Sequence, residues 1–178
     1  ISVDNYFVDR KNTPLDKNGE PDFEALEAID TELFNQTMLD LMEGKEIDMP
    51  KFSFEKGRRY YDGEKLSVKK KDLIIVEGIH GLNPELTKKI PEENKYKIYV
   101  SALTSISIDG HNLIKTSDNR LVRRMIRDYR YRGYDAAETI ARWPSVRRGE
   151  EKYIFPFQEQ ADIMFNSALL YELAILKK

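Results

Sequence analysis

Two kinds of hydrophobic pattern divide the chain into predicted strands and helices. Four consecutive apolar residues fill the centre of DLIIVEG, residues 72–78, which is typical of a strand buried on both faces in a parallel sheet. Between Phe23 and Met42 the apolar residues instead recur at helical spacing, and Gly44 suits the position just after the end of that helix. The pattern therefore indicates elements of both types.

The other predicted elements continue this alternation. Short strands are expected in ISVD (1–4), KYKIYVSA (95–102) and ADIMFNS (161–167), and a projecting ribbon in residues 46–71. Helices are expected in residues 83–90, 118–131, 135–143 and 168–178, with Pro144 starting a further helical stretch that Pro156 interrupts. This order predicts an α/β domain with a mainly parallel sheet.

Acidic residues stand at the carboxyl ends of two predicted strands. Asp4 ends the first strand, and Glu77 ends the buried strand of residues 72–78. Parallel sheets bind ligands at the carboxyl ends of their strands, and a carboxylate there is a usual ligand of Mg²⁺ in phosphoryl-transfer enzymes. Either acid alone is also explained as the cap of a following loop, so the pair is the informative feature.

The composition argues against several classes of protein. The 178 residues carry 29 basic and 31 acidic side chains, and the isoelectric point of about 5.8 is unlike that of a dedicated nucleic-acid binder. No apolar run approaches the roughly 20 residues of a membrane-spanning helix, and there is no secretory signal. The absence of cysteine excludes disulfides and fits a reducing cytoplasm. We therefore expect a cytoplasmic protein with no membrane partner.

Residues 120–132 contain six arginines, and their spacing places much of the charge on one face of a helix. Four of them fall within an arc of about 100° when successive residues are placed 100° apart: Arg120, Arg123, Arg124 and Arg127. Like charges at this spacing repel, so the helix needs an anionic ligand or acids such as Asp128. A solvated face with salt bridges, a phosphate clamp and a nucleic-acid contact are the alternatives. The planar guanidinium suits phosphate oxygens better than a lysine ammonium does.

Four motifs resemble, in order and spacing, the uridine kinase and phosphoribulokinase family of P-loop kinases, and most closely its bacterial uridine kinase-like nucleoside kinases: SVDNYF, LIIVEGIHGL, NRLVRRMIRDYRYRG and FPFQEQADIMFNS. The resemblance covers essentially the whole chain. It implies a three-layer fold with a parallel sheet between helices, ATP and Mg²⁺ as cofactors, and a small hydroxyl compound as the phosphoryl acceptor.

Site residues follow from this resemblance, position by position. Asp4 matches the carboxylate that accepts the proton of the sugar hydroxyl, and Glu77, with Asp4 beside it, matches the acid of the magnesium site. Glu24 matches an acid that holds the ribose hydroxyls. The resemblance makes the arginine helix a lid that folds over the ATP phosphates, with four arginines in contact: Arg123, Arg124, Arg127 and Arg132.

The positions that meet the nucleobase depart from the family's pattern. In uridine-specific members an aromatic residue and a histidine of the ribbon contact the base, and here those positions hold Phe52 and Gly57. From the lid side the corresponding residues are Tyr134 and Arg142. Without the histidine, uridine is only one option among nucleosides and other sugar-like hydroxyl acceptors.

The family's phosphate-binding loop, G-x-x-x-x-G-K-[ST], has no match here, since none of the nine glycines begins such a motif. The resemblance places this loop just upstream of Ile1, on the first strand and helix of the fold. We therefore expect residues 1–178 to form a single incomplete kinase domain that holds the acceptor-binding and lid portions. It would lack the first strand and be inactive alone.

The resulting hypothesis is ATP-dependent transfer of a phosphoryl group to a small-molecule hydroxyl, foremost a nucleoside 5′-OH. The alternative is a nucleotide- or RNA-binding regulatory module without catalysis, which the missing loop keeps open. A purely structural domain would leave Asp4, Glu77 and the arginines without a shared purpose. Kinases of this kind often form homo-oligomers, although no sequence feature here indicates an interface.

Overall fold

The computed structural model describes residues 1–104, 107 and 109–176, and it contains both helices and strands. The chain forms two compact units, Ile1–Lys97 with Arg148–Gln160, and Ile98–Arg147 with Ala161–Lys178. The predicted mixed α/β class is confirmed, and a parallel strand pair is present.

The first helix, α1, spans Thr31–Met42 and begins later than the hydrophobic spacing predicts. Asp30 caps it, since its Oδ1 accepts a hydrogen bond of 3.0 Å from the backbone N–H three residues on. Before the cap the chain forms a 3₁₀ turn at Leu26–Ala28, and Ile29 then pairs with Phe7 in an antiparallel bridge. The predicted earlier start is therefore wrong, whereas Gly44 follows the helix with a φ of +78°, as expected.

The predicted projecting ribbon is confirmed as an antiparallel hairpin. Its strands are β1, Ile47–Ser53, and β2, Arg58–Leu66. Their register shifts just before Pro50, a residue that has no backbone N–H to donate to a ladder. Gly57 precedes β2 with a φ of +62°, a conformation that glycine adopts without strain.

The two strands predicted to end in acidic residues are reduced to a single bridge. Ser2 and Glu77 pair in parallel, and the pairing stops because the chain turns into a 3₁₀ helix at Val3–Tyr6. The apolar residues before Glu77 are not buried on both faces, since Leu73 and Ile75 are largely exposed. The strand prediction is therefore wrong here, although the parallel direction is right.

The hydrophobic core of the first unit joins α1, the 3₁₀ helix at Val3–Tyr6 and residues 83–90. Asn35 of α1 donates a hydrogen bond of 2.9 Å to the carbonyl of Leu86 and accepts one of 3.1 Å from the N–H of Lys89. Residues 83–90 form successive turns, so the short helix predicted there is wrong. The buried members of the core cluster are Val3, Tyr6, Ile29, Phe34, Met38, Leu41 and Leu86.

The second unit is built around a short parallel sheet. Its strands are β3, Ile98–Ser101, and β4, Ile163–Asn166, which pair in register and confirm both strand predictions. The arginine helix, α2, spans Thr116–Tyr131, also as predicted. The final helix, predicted from residue 168, begins only at Glu172 and is present as α4, Glu172–Leu176; residues 177–178 of that prediction lie outside the described residues.

Helix α3 spans Ala136–Tyr153 and runs through the boundary between the units. Pro144 lies inside this helix and does not start a new one, although an interior proline removes one backbone donor and disfavours the helix. The helix gives way to a 3₁₀ helix at Phe155–Gln160, so the interruption predicted near Pro156 is confirmed. Across the described ranges, no helix combines the length and apolar character needed to cross a membrane.

Candidate functional site

The two acids of the predicted site follow neighbouring, paired segments of the first unit. The backbone N–H of Val3 donates to the carbonyl of Glu77 at 2.9 Å, and Asp4 comes next in the 3₁₀ helix. Asp4 is half-buried, and Glu77 is exposed. The structure therefore brings the two acids into one neighbourhood through backbone pairing.

Gly78 permits the close approach of these two segments. A Cβ atom at position 78 would lie 2.7 Å from the Cβ of Val3, closer than real Cβ atoms come to their neighbours. A side chain there would push Val3 away from Glu77, and with it the turn that carries Asp4. Glycine at this position is thus part of how the acids are placed.

The acids fit a magnesium ion better than a metal held by protein alone. In the part of the chain that the structure describes, no group of three or more histidine, aspartate or glutamate side chains is placed to hold a metal. Mg²⁺ usually takes one or two carboxylates and completes its shell with water and substrate phosphates. Asp4 and Glu77 supply donors of that kind and number.

Polar side chains just after Asp4 fasten the β1–β2 hairpin to this turn. The Oδ1 atom of Asn5 accepts a hydrogen bond of 3.3 Å from the N–H of Phe52. The Oδ1 atom of Asp9 accepts one of 3.2 Å from the N–H of Arg59. Sequence reasoning missed Asn5 and Asp9, because their partners lie 47 and 50 residues away and no local pattern indicates such bonds.

Phe52, the residue expected to meet a nucleobase, lies in a cluster of three phenylalanines. Its ring centroid is 5.5 Å from that of Phe7 and 5.4 Å from that of Phe54. The cluster presents apolar faces suited to a flat ring. At Gly57 a Cβ atom would lie 2.8 Å from Nε of Arg10, so Arg10 fills the space that a side chain at position 57 would need.

Glu24 lies against the C-terminal part of α3 within the first unit. A Cβ atom on Gly149 would come within 2.5 Å of the Cβ of Glu24, so only glycine fits without displacing the acid. The neighbouring His80 is 1% exposed and packs edge-on against Tyr153, with ring centroids 5.7 Å apart. The predicted ribose acid is thus supported by residues that lie far from it in sequence.

His80 is buried as a neutral side chain. Burial lowers its pKa to about 4, against the weaker upward pull of the nearby Glu27 carboxylate and of the backbone at Glu24 and Ala25. That backbone is near the ring but not in bonding geometry, since neither imidazole nitrogen has a hydrogen-bond partner among the described residues. Its burial suits a residue packed in the interior of the unit better than a ligand-binding one.

The arginines predicted to form the lid surround one acid of their own helix. Nε of Arg124 lies 3.2 Å, and Nε of Arg127 3.4 Å, from the carboxylate of Asp128. Nη1 of Arg132 lies 3.5 Å from the same carboxylate. Asp128 therefore is the neutralising acid that the sequence allowed for. Arg123 is paired differently, with Nε 3.0 Å from Oε1 of Glu172 in α4.

The two lid-side residues expected to meet the base contact each other. The guanidinium carbon of Arg142 lies 4.1 Å from the centre of the Tyr134 ring, a cation–π arrangement. Between them, Asp135 and Glu138 exchange hydrogen bonds of 2.8 Å that form a capping box at the start of α3. The cap and the stacking hold both side chains at the beginning of this helix.

Comparison with known proteins is consistent with these features. Residues 4–172 match the model of the "Phosphoribulokinase / Uridine kinase family". Similar curated proteins include those named "Uridine kinase" from Staphylococcus aureus strains JH9, Newman and Mu50. Each is 28% identical over 165 residues, which span 92% of this chain and 71% of the relative.

Proposed function

The chain belongs to the phosphoribulokinase and uridine kinase family, and on this premise we propose that it provides the acceptor-binding and lid portions of an ATP-dependent kinase. The reaction is transfer of the γ-phosphoryl group of ATP to a hydroxyl of a small molecule, with a nucleoside 5′-OH as the first candidate. The observation that carries the proposal is the pairing of Ser2 with Glu77, which puts Asp4 beside a second acid.

In this proposal the chain's own residues position the acceptor, deprotonate its hydroxyl and neutralise phosphate charge. Asp4 accepts the proton of the attacking hydroxyl, and Glu77 holds or orients Mg²⁺, which when bound neutralises phosphate charge. Glu24 binds the acceptor's sugar hydroxyls. The lid arginines donate hydrogen bonds to the phosphates, where negative charge moves during transfer.

The aromatic residues support a nucleoside as the acceptor. Phe52, within its phenylalanine cluster, offers a stacking face for a base, and Tyr134 with Arg142 offers a second flat surface. Neither surface presents a histidine that would select uracil, so we propose a nucleoside kinase with its base preference open. The phosphate-binding loop, which these 178 residues do not contain as a motif, is proposed to come from sequence outside them.

The test is phosphoryl transfer from radiolabelled ATP by the full-length protein, with a panel of nucleosides, ribose and other simple sugars. The 178-residue chain serves as the control and is expected to transfer nothing. Labelled product from a single nucleoside supports the proposal and names the acceptor. A folded, ATP-binding protein that labels no member of the panel contradicts the nucleoside assignment.

The absence of a phosphate-binding loop motif also favours a second candidate, a nucleotide- or RNA-binding module that regulates without catalysis. The exposed arginines of α2 would then contact a polyanion. RNA binding through several phosphates should weaken steeply, by about 10³-fold or more, between 50 and 200 mM salt. Salt-sensitive RNA binding without any phosphoryl transfer would favour this candidate over the kinase.

A further inference from the structure

The carboxylate of Asp128 lies at the centre of the lid arginines. It is 3% exposed, and hydrogen bonds from Nε of Arg124 and Nε of Arg127 reach its two different oxygens. Arg132, just beyond the end of α2, forms an ion pair with it as well. The backbone carbonyl of Asp128 also accepts hydrogen bonds from the N–H groups of Arg132 and Tyr134, at 3.0 and 3.3 Å.

Aspartate is an unfavourable residue at position 128, in the last turn of α2. Aspartate has low helix propensity, and a carboxylate in the last turn faces the negative end of the helix dipole. A buried charge is also costly unless it is well paired. Asp128 is thus unfavourable by helix propensity, by the helix dipole and by burial of its charge, and three arginines compensate it. This combination indicates a role beyond helix formation.

We propose that Asp128 is a positioning residue that holds Arg124, Arg127 and Arg132 in a fixed array before a phosphate group arrives. This inference rests on the proposed function, since it takes the three arginines as phosphate ligands. Arg124 and Arg127 reach Asp128 through Nε, and Arg132 reaches it through Nη1. One carboxylate therefore fixes the orientation of three planar guanidiniums, a group that suits phosphate oxygens. Ordering long side chains in advance removes part of the entropy that binding would otherwise cost.

When Asp128 is removed, positioning and simple electrostatics predict changes of opposite sign in phosphate affinity. Loss of a negative charge beside an anion site should strengthen phosphate binding if Coulomb attraction alone decides. If Asp128 instead orders the arginines, its loss should weaken binding even though the site becomes more positive. The sign of the change in affinity therefore separates the two roles.

The experiment is calorimetric titration of the full-length protein with inorganic tripolyphosphate at fixed ionic strength. The variants are Asp128→Ala and the isosteric Asp128→Asn, with Asp128→Glu as the conservative rescue. Asp118→Asn removes an exposed acid from the first turn of the same helix and serves as the matched control. Circular dichroism verifies that each variant is folded, and Asp128→Asn replaces Asp128→Ala if the latter is not.

We expect Asp128→Ala and Asp128→Asn to bind tripolyphosphate about ten-fold more weakly, with Asp128→Glu closer to the wild type. The control should change by no more than about two-fold. The loss should shrink in an Arg127→Ala background, because the two residues act as a unit. Unchanged or tighter binding by folded Asp128 variants overturns the inference and leaves the proposed function standing. A wild-type protein that binds no tripolyphosphate overturns the proposed function and this inference with it.

Discussion

The side-chain oxygen of Asn5 accepts a hydrogen bond of 3.3 Å from the backbone N–H of Phe52. One bond thus joins the turn that carries Asp4 to the hairpin that carries the phenylalanine cluster. The proposed general base and the proposed base-stacking residue are therefore held in a common frame. A change in the hairpin's position would be transmitted to the turn within this unit.

Asn5→Ala should weaken binding of the phosphoryl acceptor without removing a residue that takes part in the transfer itself. Removing the acceptor oxygen leaves the N–H of Phe52 without this partner, at a cost of about 1 kcal/mol in the free energy of unfolding. We expect the KM for the phosphoryl acceptor to rise several-fold while the KM for ATP is unchanged. Steady-state kinetics and thermal melts measure both effects. Asn94→Ala, an exposed asparagine of the same unit, is the control, and equal behaviour of the two variants would contradict the role of Asn5.

Asp4→Asn should remove turnover while leaving nucleotide binding intact. The amide keeps the size of the carboxylate but cannot accept a proton, so kcat should fall by about 10²–10⁴-fold. ATP affinity, measured by calorimetry on the full-length protein, should stay within a few-fold of the wild type. Asp48→Asn, in the exposed part of β1, controls for the loss of a negative charge. Near-normal kcat in Asp4→Asn would rule out this residue as the general base.

His80 should make the free energy of unfolding depend on pH. Its pKa is about 4 in the folded state, against 6.5 when unfolded, so between these values the unfolded chain binds more protons. The free energy of unfolding is therefore not reduced by His80 above pH 6.5. It declines as the pH falls towards 4, by an amount on the order of 3 kcal/mol. Urea titrations from pH 4.5 to 7 should show this slope in the wild type and a flatter one in His80→Phe. His111→Gln, at an exposed position, should keep the wild-type slope, and a His80→Phe protein with that same slope would contradict the prediction.

Gly149→Ala should destabilise the protein although it lies in a helix. Alanine in place of a helical glycine normally stabilises by about 1 kcal/mol. Here the added methyl group would collide with the Cβ of Glu24, and we expect a net loss of about 1–3 kcal/mol from overpacking. Affinity for the acceptor should fall as well if Glu24 binds its sugar. The control is Gly110→Ala, where the added atom meets open space, and a stabilised Gly149→Ala protein would show that Glu24 moves aside freely.

Elements defined by their own sequence pattern were predictable. The hairpin β1–β2, the helix α2 and the strands β3 and β4 each carry a local signal, either short β-prone pieces broken by glycine or apolar residues at helical spacing. Asp4 and Glu77 could be expected to lie near each other because both follow apolar segments that pair in parallel. The ion pair of Arg124 with Asp128 was also accessible, since it follows from i,i+4 spacing.

Features that depend on distant partners were not predictable. Residues before Asp30 have helical spacing but do not form an α-helix, because Leu26–Ala28 form a 3₁₀ turn and Ile29 pairs with Phe7 in a bridge. The burial of His80 and the need for glycine at position 149 arise from packing between segments far apart in the chain. Tertiary contacts of this kind override local propensity, and single-sequence patterns do not contain them.

The carbonyl of Asp128 accepts a hydrogen bond from the N–H of Tyr134 across Gly133. This bond ties the end of α2 to the residues that precede α3. Gly133, between α2 and the start of α3, has a φ of +71°, a conformation that glycine adopts without strain. A movement of α2 relative to the start of α3 would have to break the hydrogen bond of the Tyr134 amide. Hydrogen exchange of the Tyr134 amide would therefore report any such movement, and it can be measured without substrate or turnover.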